Sequence, residues 1–477
     1  MNGTYGKIRA KNPLKRLKIL QNFLLLAQKY GTPTYVYDFD KIARNVADFK
    51  SAFSARKSLL CYALKANSNL SLLRHLAQMD CGADCVSINE VRRALLAGIP
   101  KYKIIYSGVG KGDSDIKEAL EKDILFINVE SVGELLRVEA IAESLGKIAR
   151  ISVRVNPNID AKTHPYISTG LRENKFGVDI ESAKKIFIHA KKSPFLEPIA
   201  VHFHIGSQLL ELTPIIESAK KIVALIKGLL ALKIDIKFID IGGGLGIAYN
   251  GEKIIDFYDY AQGILGELKG LDLTIICELG RRIVGDCGIL LTKVLYEKQN
   301  EFKRFCIVDA AMNDLIRPTL YGAKHRITHT SIEKSAESTL DSANSQNLGE
   351  NNSSLRDFAK QNRGNPPIEK TQKLQGGLPQ DEFTKVFEHC DIVGPICESG
   401  DFLAKDISLP PTKNGDLIAI LDCGAYGFSM SSNYNSRLKC AEVALKNGED
   451  FLIRARESFA ESIANEENCL AKNKGKL

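Results

Sequence analysis

Eight times between residues 59 and 278, a short β-rich run gives way to a stretch whose apolar residues recur at helical spacing. The runs are Leu59–Leu64, Ala83–Ser87, Ile104–Val109, Phe126–Glu130, Arg150–Asn156, Ile199–Ile205, Phe238–Ile241 and Thr274–Glu278. Strand and helix alternating in this way predict parallel strands joined by crossover helices, and eight repeats are what a closed (β/α)8 barrel needs. The stretches between, Asn89 to Ala97 and Val132 to Ser144 among them, carry apolar faces suited to covering such a barrel. In that fold the chemistry gathers at the carboxyl ends of the strands. The search for a site therefore narrows to eight short windows.

The flanking chain reads differently. Residues 14–29 place Leu14, Leu17, Leu20, Leu24 and Leu25 at helical spacing, and Gly31-Thr32-Pro33 ends that helix before a strand, Thr34–Tyr37. Beyond about residue 285 strands follow one another without helices: Ile289–Tyr296, Phe305–Val308, Val386–Val393 and Leu417–Leu421. The expected organisation is an α/β chain in three parts. Residues 1–37 form a helix and strand that pack with the C-terminal domain, 38–285 the TIM-like barrel, and 286–477 a mostly β domain. Ser331 to Asn365 is rich in Ser, Asn, Gln and Glu, so about 328–385 reads as a polar, mobile insertion. Glu449–Cys469 is helical in pattern, and Lys472 to Leu477 reads as a frayed tail.

At 477 residues the chain is too long for one ordinary core, in keeping with two domains. Its 65 Lys and Arg against 57 Asp and Glu give +8, but the excess is spread along the chain, which argues against a nucleic-acid partner. Of eleven cysteines only Cys81 and Cys85 are closely spaced, so free thiols in a reducing compartment are expected rather than disulfides. The N-terminal apolar stretch Phe23 to Ala27 is too short to span a membrane. A cytoplasmic enzyme acting on a small molecule, without a membrane partner, is the simplest expectation.

The unusual residues fall at the ends of the runs. Lys65 follows Leu59–Leu64 directly, ahead of a cap-rich helix start, Asn67-Ser68-Asn69. It is either a snorkelling or ion-paired lysine, or an amine able to attack a carbonyl. On the sixth run alternation puts His202 and His204 on one face, with Ser207 at the rim. His204 can stack on a flat ring, fill a core, or join His202 in a zinc site. No further His or carboxylate cluster is visible at another strand end, so no metal is expected. The seventh run ends in Gly242-Gly243-Gly244, where barrels commonly cradle phosphate. The eighth ends in Glu278, followed by Arg281. That carboxylate can be a general base, a partner for Arg281, or the counterion of a protonated pyridine nitrogen. An amine, a ring-facing imidazole, a phosphate loop and such a counterion on one mouth fit pyridoxal 5'-phosphate best, and with it carbanion chemistry at Cα.

Three clusters in the β domain combine polarity with Gly or Pro: Arg317-Pro318-Thr319-Leu320-Tyr321-Gly322, Cys397-Glu398-Ser399-Gly400-Asp401 and Gly424-Ala425-Tyr426-Gly427. Each alone reads as a turn. Together they offer a cation, acids, a thiol and two phenols, which could hold a substrate charged at both ends.

With these residues in place the sequence resembles the diaminopimelate decarboxylase family of fold-type III pyridoxal-phosphate enzymes. The resemblance covers roughly residues 30–326 and 386–460. It is carried by Tyr62-Ala63-Leu64-Lys65-Ala66-Asn67, His164 to Gly170, Asn174-Lys175-Phe176-Gly177, His204-Ile205-Gly206-Ser207-Gln208, the triple glycine, Glu278 to Arg281 and the three β-domain clusters. It implies that Lys65 binds the cofactor covalently, His204 stacks on its ring, Glu278 pairs with its nitrogen, and Ser207 with Gly242 to Gly244 holds its phosphate near Tyr426. Arg281, Arg317 and Tyr321 would bind the distal carboxylate of meso-diaminopimelate, with Tyr426 close by, and Glu398 its distal amine. The site would lie at a homodimer interface, with Cys397 and Glu398 from the second chain. The reaction implied is decarboxylation to L-lysine and CO2, the last step of lysine biosynthesis. The rival readings are a decarboxylase of ornithine, arginine or carboxynorspermidine, a non-catalytic relative, and a zinc hydrolase. Leu279 departs from the family, which usually has proline there, and the polar insertion separates Arg317 and Tyr321 from Cys397.

Overall fold

The computed structural model describes residues 13–160, 169–170, 174–329 and 389–473. Most of the 328–385 segment, the His164–Ser168 part of the motif and the last four residues lie outside the described residues.

The eight runs form eight parallel strands closed into a barrel: β2 Ser58–Ala63, β3 Gly82–Cys85, β4 Ile104–Tyr106, β5 Phe126–Val129, β6 Ala149–Arg154, β7 Leu196–His202, β8 Phe238–Asp240 and β9 Thr274–Cys277. Closure comes from β2 against β9, where Ser58 to Leu60 align with Ile275 to Cys277. Most strand residues are buried because helices cover the outside and side chains fill the inside. The covering helices start where the sequence supplies caps. Ser87 accepts from the Glu90 amide at the head of Ile88–Leu96, and Ser131 accepts from the Glu134 amide at the head of Val132–Ser144.

Inside the barrel, period-two alternation builds two layers. Cys61, Ile105, Phe126, Ala200 and Ile276 pack as an apolar plug. Two residues further along the same strands come Ala63, Ser107, Asn128, His202 and Glu278, joined by Asp84, Ser152 and Asp240, all buried. The plug seals the lower end of the barrel. The polar layer above it is the floor of the mouth.

The second sheet holds nine strands among the described residues. Thr34–Asp38 (β1) pairs antiparallel with β10 (Gly288–Gln299) and parallel with β16 (Ala441–Lys446). The remaining strands are β11 Arg304–Val308, β12 Ile327–His329, β13 His389–Val393, β14 Phe402–Ser408, β15 Leu417–Ile420 and β17 Glu449–Arg454. They run in the order β14-β13-β11-β10-β1-β16-β17, with β15 pairing to β10 and β12. The N-terminal helix, Pro13–Tyr30, brings Phe23 and Leu26 against Val36, Leu291 and Val443, whereas Leu25 points outward.

Two local expectations are corrected. The helical reading of Glu449–Cys469 holds only for its second part: Glu449–Arg454 is a strand paired with β16, and the helix is Phe459–Lys472. The stretch beyond 285 is not free of helix, since Arg317–Tyr321 forms one short turn of it, ended by Gly322 in the left-handed region. Among the described residues no helix is long and apolar enough to cross a membrane. All eleven cysteines are free and nine of them are buried.

Candidate active site

The barrel mouth opens into a cavity of about 780 Å³. It is lined by Lys65, His202, His204, Ser207, Gly244, Glu278, Arg281, Arg317, Tyr321 and Tyr426, which the sequence singled out, and by Arg154 and Tyr249, which it did not. Strands β2, β6, β7, β8 and β9 thus contribute at or just past their carboxyl ends.

Lys65 sits in a single 3-10 turn, Leu64–Ala66, that ends β2. Its Nζ lies 3.1 Å from Oδ2 of Asp84, a wholly buried carboxylate on the neighbouring strand β3. Burial opposes the ammonium, but Asp84, Tyr426 and Glu278 outweigh it and raise the Lys65 pKa above the ordinary lysine value. Asp84 is itself pushed up, by burial first and by the nearby charge of Glu278. Asp84 was missed because it lies inside a run that reads simply as strand. The available signal was a carboxylate in a strand of otherwise small and apolar residues.

Glu278 receives Ser107 Oγ at 3.4 Å, and Ser107 in turn receives Asn128 Nδ2 at 2.8 Å. On its other side His202 Nε2 stands 3.3 Å from Oε2. Burial alone would raise this carboxyl, yet His202, Lys65 and His204 pull it well below the usual carboxylate range, so it stays charged. Asp240 behaves oppositely: burial and the Glu278 charge push it up, although Gly242 N–H donates to its Oδ1 at 3.0 Å. The expectation that no further His or carboxylate cluster sits at another strand end is corrected, since donor atoms of His202, Asp240 and Glu278 lie within 4.8 Å of one another.

His204 is neutral, its pKa lowered well below the ordinary value by burial and by Arg154 and Lys65. Its Nδ1 accepts the Gly243 amide at 3.2 Å, which puts its own proton on Nε2. The triple glycine is demanded by space. A Cβ on Gly243 would stand 2.0 Å from the Glu278 carbonyl oxygen, and one on Gly244, at φ +97°, 2.1 Å from that of Gly206. Only Gly244 of the three lines the cavity, and the Gly242 and Gly243 amides donate to Asp240 and His204. Leu279, standing where the resemblance calls for proline, is buried and its carbonyl accepts the Ala63 amide at 3.4 Å.

Two buried arginines complete the mouth. Arg281 donates to Tyr249 Oη at 2.6 Å and to Ser207 Oγ at 3.1 Å, and lies 4.8 Å from the Tyr426 ring centroid. Arg317 lies 4.6 Å from the centroid of the Tyr249 ring. Cys397 and Glu398 are not brought to this cavity by their own chain. Both are exposed, and the Cys397 amide donates to Asn435 Oδ1 at 3.1 Å.

Residues 39–285 match the family model described as the pyridoxal-binding domain of pyridoxal-dependent decarboxylases. The chain is 52% identical over 438 residues to the diaminopimelate decarboxylase of Helicobacter pylori, covering 92% of this chain and 96% of that protein. It belongs to the diaminopimelate decarboxylase family. The Campylobacter jejuni member of that name is 52% identical over 446 residues, 93% of this chain and 98% of its own. A crystal structure of the Helicobacter pylori diaminopimelate decarboxylase in complex with L-lysine superposes with a TM-score of 0.81 at 51% identity, covering 94% of this chain and all of the other.

The residues fit the pyridoxal cofactor for which the matched family model is named. An amine stands at one side of the cavity, a neutral imidazole and a charged buried carboxylate line it, and glycines that tolerate no Cβ shape its rim. Members of this family use pyridoxal phosphate.

Proposed function

We propose that this chain decarboxylates meso-2,6-diaminopimelate to L-lysine and CO2, using pyridoxal phosphate held at the barrel mouth. The observation that carries the substrate choice is the pair of buried arginines, Arg281 and Arg317, sharing one cavity with Lys65 and Glu278. The bound cofactor supplies the electron sink that lets the bond from Cα to the substrate carboxylate break.

The protein groups do the rest. Lys65 anchors the cofactor and is kept in place by Asp84. His204 packs on the ring, with its Nδ1 tied to Gly243. Glu278, braced by Ser107 and His202, stays anionic and so holds a proton at the pyridine nitrogen. Ser207 and Gly244 face the phosphate. Arg281, Arg317 and Tyr321 take the distal carboxylate, with Tyr426 packed on Arg281. Ornithine ends in an amine alone and would leave a buried guanidinium unpaired, which costs several kcal/mol, on the order of a thousandfold in preference.

Cys397 and Glu398 complete the site from a second copy of the chain, Glu398 taking the distal amine. Their exposure and their absence from the cavity of their own chain support that reading. The enzyme then works as a homodimer in the cytoplasm. Purified protein with added cofactor is expected to release lysine from meso-diaminopimelate and to leave ornithine untouched, and equal turnover of both would reject the assignment. Mixing inactive Lys65→Ala and Cys397→Ala chains is expected to restore part of the activity, because a mixed dimer contains one intact site. No recovery would reject the shared site alone.

A further inference from the structure

His325 lies behind Arg317, outside the cavity lining, and neither the alternation of the barrel nor the sequence clusters points to it. Its ring is buried, and Nε2 is 2.9 Å from Arg317 Nη1 while Nδ1 is 2.9 Å from the Leu421 carbonyl oxygen. A guanidinium can only donate, and a backbone carbonyl can only accept. The two partners therefore fix one tautomer: Nε2 accepts from Arg317, and Nδ1–H donates to Leu421. The plane of the ring is fixed as well, edge to face with Tyr249 at 5.3 Å and 80°. Tyr249 in turn accepts from Arg281 and lies under Arg317, so the two arginines are braced against each other through His325 and Tyr249.

We propose that His325 is a positioning residue that orients the Arg317 guanidinium for the distal carboxylate of the substrate without cancelling its charge. A carboxylate in the same place would hold Arg317 as firmly, but would neutralise the charge that an anionic substrate group needs. A neutral imidazole acceptor does only the first. Burial, with Arg317 beside it, lowers the pKa of His325 to about 3, so it stays neutral wherever the enzyme works.

The inference rests on the reading that Arg317 meets the distal carboxylate, and the test separates the two. L-lysine retains that carboxylate and pentane-1,5-diamine lacks it. Inhibition by both, with KM and kcat for meso-diaminopimelate, is measured on the holoenzyme and on three variants. His325→Phe keeps the ring and removes the acceptor. It is expected to raise KM and the lysine inhibition constant at least about tenfold, the size of one lost hydrogen bond to a charged group, with kcat and diamine inhibition changed less than about threefold. His325→Gln, whose amide oxygen can replace Nε2 as acceptor, is expected to stay within about threefold of wild type in every constant. Arg317→Gln is the control: should it leave lysine inhibition unchanged, the assignment of Arg317 fails. If Arg317→Gln weakens lysine but His325→Phe does not, or weakens lysine and diamine equally, the role of His325 is overturned. His325→Leu, also without an acceptor, serves the same arm if the Phe variant does not fold.

Discussion

The backbone amide of Tyr426 donates to the carbonyl of Ala66 at 2.8 Å, which fastens a β-domain loop to the residue beside Lys65. Ser429 Oγ reaches the same carbonyl at 3.1 Å, and Asn67 Nδ2 reaches the Gly424 carbonyl at 3.3 Å. The two domains therefore meet at the lysine, and the second domain supplies Arg317, Tyr321 and Tyr426 to the mouth of the barrel. Whatever loosens that seam should loosen the site.

Gly424 gives a direct test. A Cβ there would stand 1.8 Å from the Val284 carbonyl oxygen, so Gly424→Ala must push the seam apart. We expect a loss of about 2 kcal/mol or more in urea unfolding, together with weaker cofactor binding. Gly228, exposed in the helix Thr213–Ala231 with nothing within 4 Å of the place an added methyl would take, is the control. Gly228→Ala should gain about 0.5–1 kcal/mol and leave cofactor affinity alone. Equal effects at the two sites would sink the seam argument.

Glu442, wholly buried on β16, accepts from Tyr37 Oη at 2.8 Å, from Asn69 Nδ2 at 3.0 Å and from Arg454 Nε at 2.5 Å. It joins the second sheet to the N-cap of the helix that follows Lys65. Glu442→Ala would strand the Tyr37 hydroxyl in the interior and leave Asn69 Nδ2 only its longer bond to the Ile453 carbonyl, while Arg454, 40% exposed, can turn to water. The expected loss is about 2 kcal/mol, below the roughly 3–5 kcal/mol typical of breaking a fully buried pair. Denaturant midpoints measure it, and a loss under about 0.5 kcal/mol would show that water replaces the carboxylate.

Much of this was legible in the sequence because the barrel obeys local rules. Strands buried on both faces read as β-rich runs, and the helices after them show apolar residues at helical spacing. Lys65, His204 and Glu278 stood out because they lie at or just past the ends of such runs, where chemistry collects. Asp84 and Arg154 did not, since each is embedded in a run and its meaning comes from a neighbour on another strand, Lys65 in one case and Glu130 in the other. Tyr249 and His325 lie outside strands and helices, where no periodicity marks a residue. Glu449–Arg454 was misread because most of its side chains are exposed, so no apolar alternation reveals the strand. The overlooked signal was Asn447-Gly448, both at positive φ, which is the turn of a two-residue hairpin.

Asp84 raises the Lys65 pKa, so Asp84→Asn should lower it while leaving an oxygen for the amine to donate to. Only the neutral amine attacks an aldehyde, and its fraction at a given pH grows about tenfold for each unit by which the pKa falls. Recombination of cofactor with the apoprotein should therefore become faster near neutral pH in the variant, with its pH profile displaced to lower pH. Stopped-flow absorbance follows the reaction. An unmoved profile would show that Asp84 does not govern the amine.

His325 also predicts how stability depends on pH. Its pKa is about 3 in the fold against an ordinary 6.5, so between those values the unfolded chain binds a proton that the folded chain does not. Stability then rises with pH across that window and falls as pH drops below about 6.5. From about pH 7.5 to about pH 5 this one residue should remove about 2 kcal/mol. His204, lowered by burial, acts in the same direction, whereas Glu90 and Asp314, raised by burial to about 7 and about 6, act in the opposite one. Those groups are shared by wild type and His325→Gln, so they cancel in the comparison. The variant should lose about 2 kcal/mol less than wild type between the two pH values in urea unfolding. Parallel losses would mean that His325 is protonated in the fold at about pH 5, and could not then accept from Arg317.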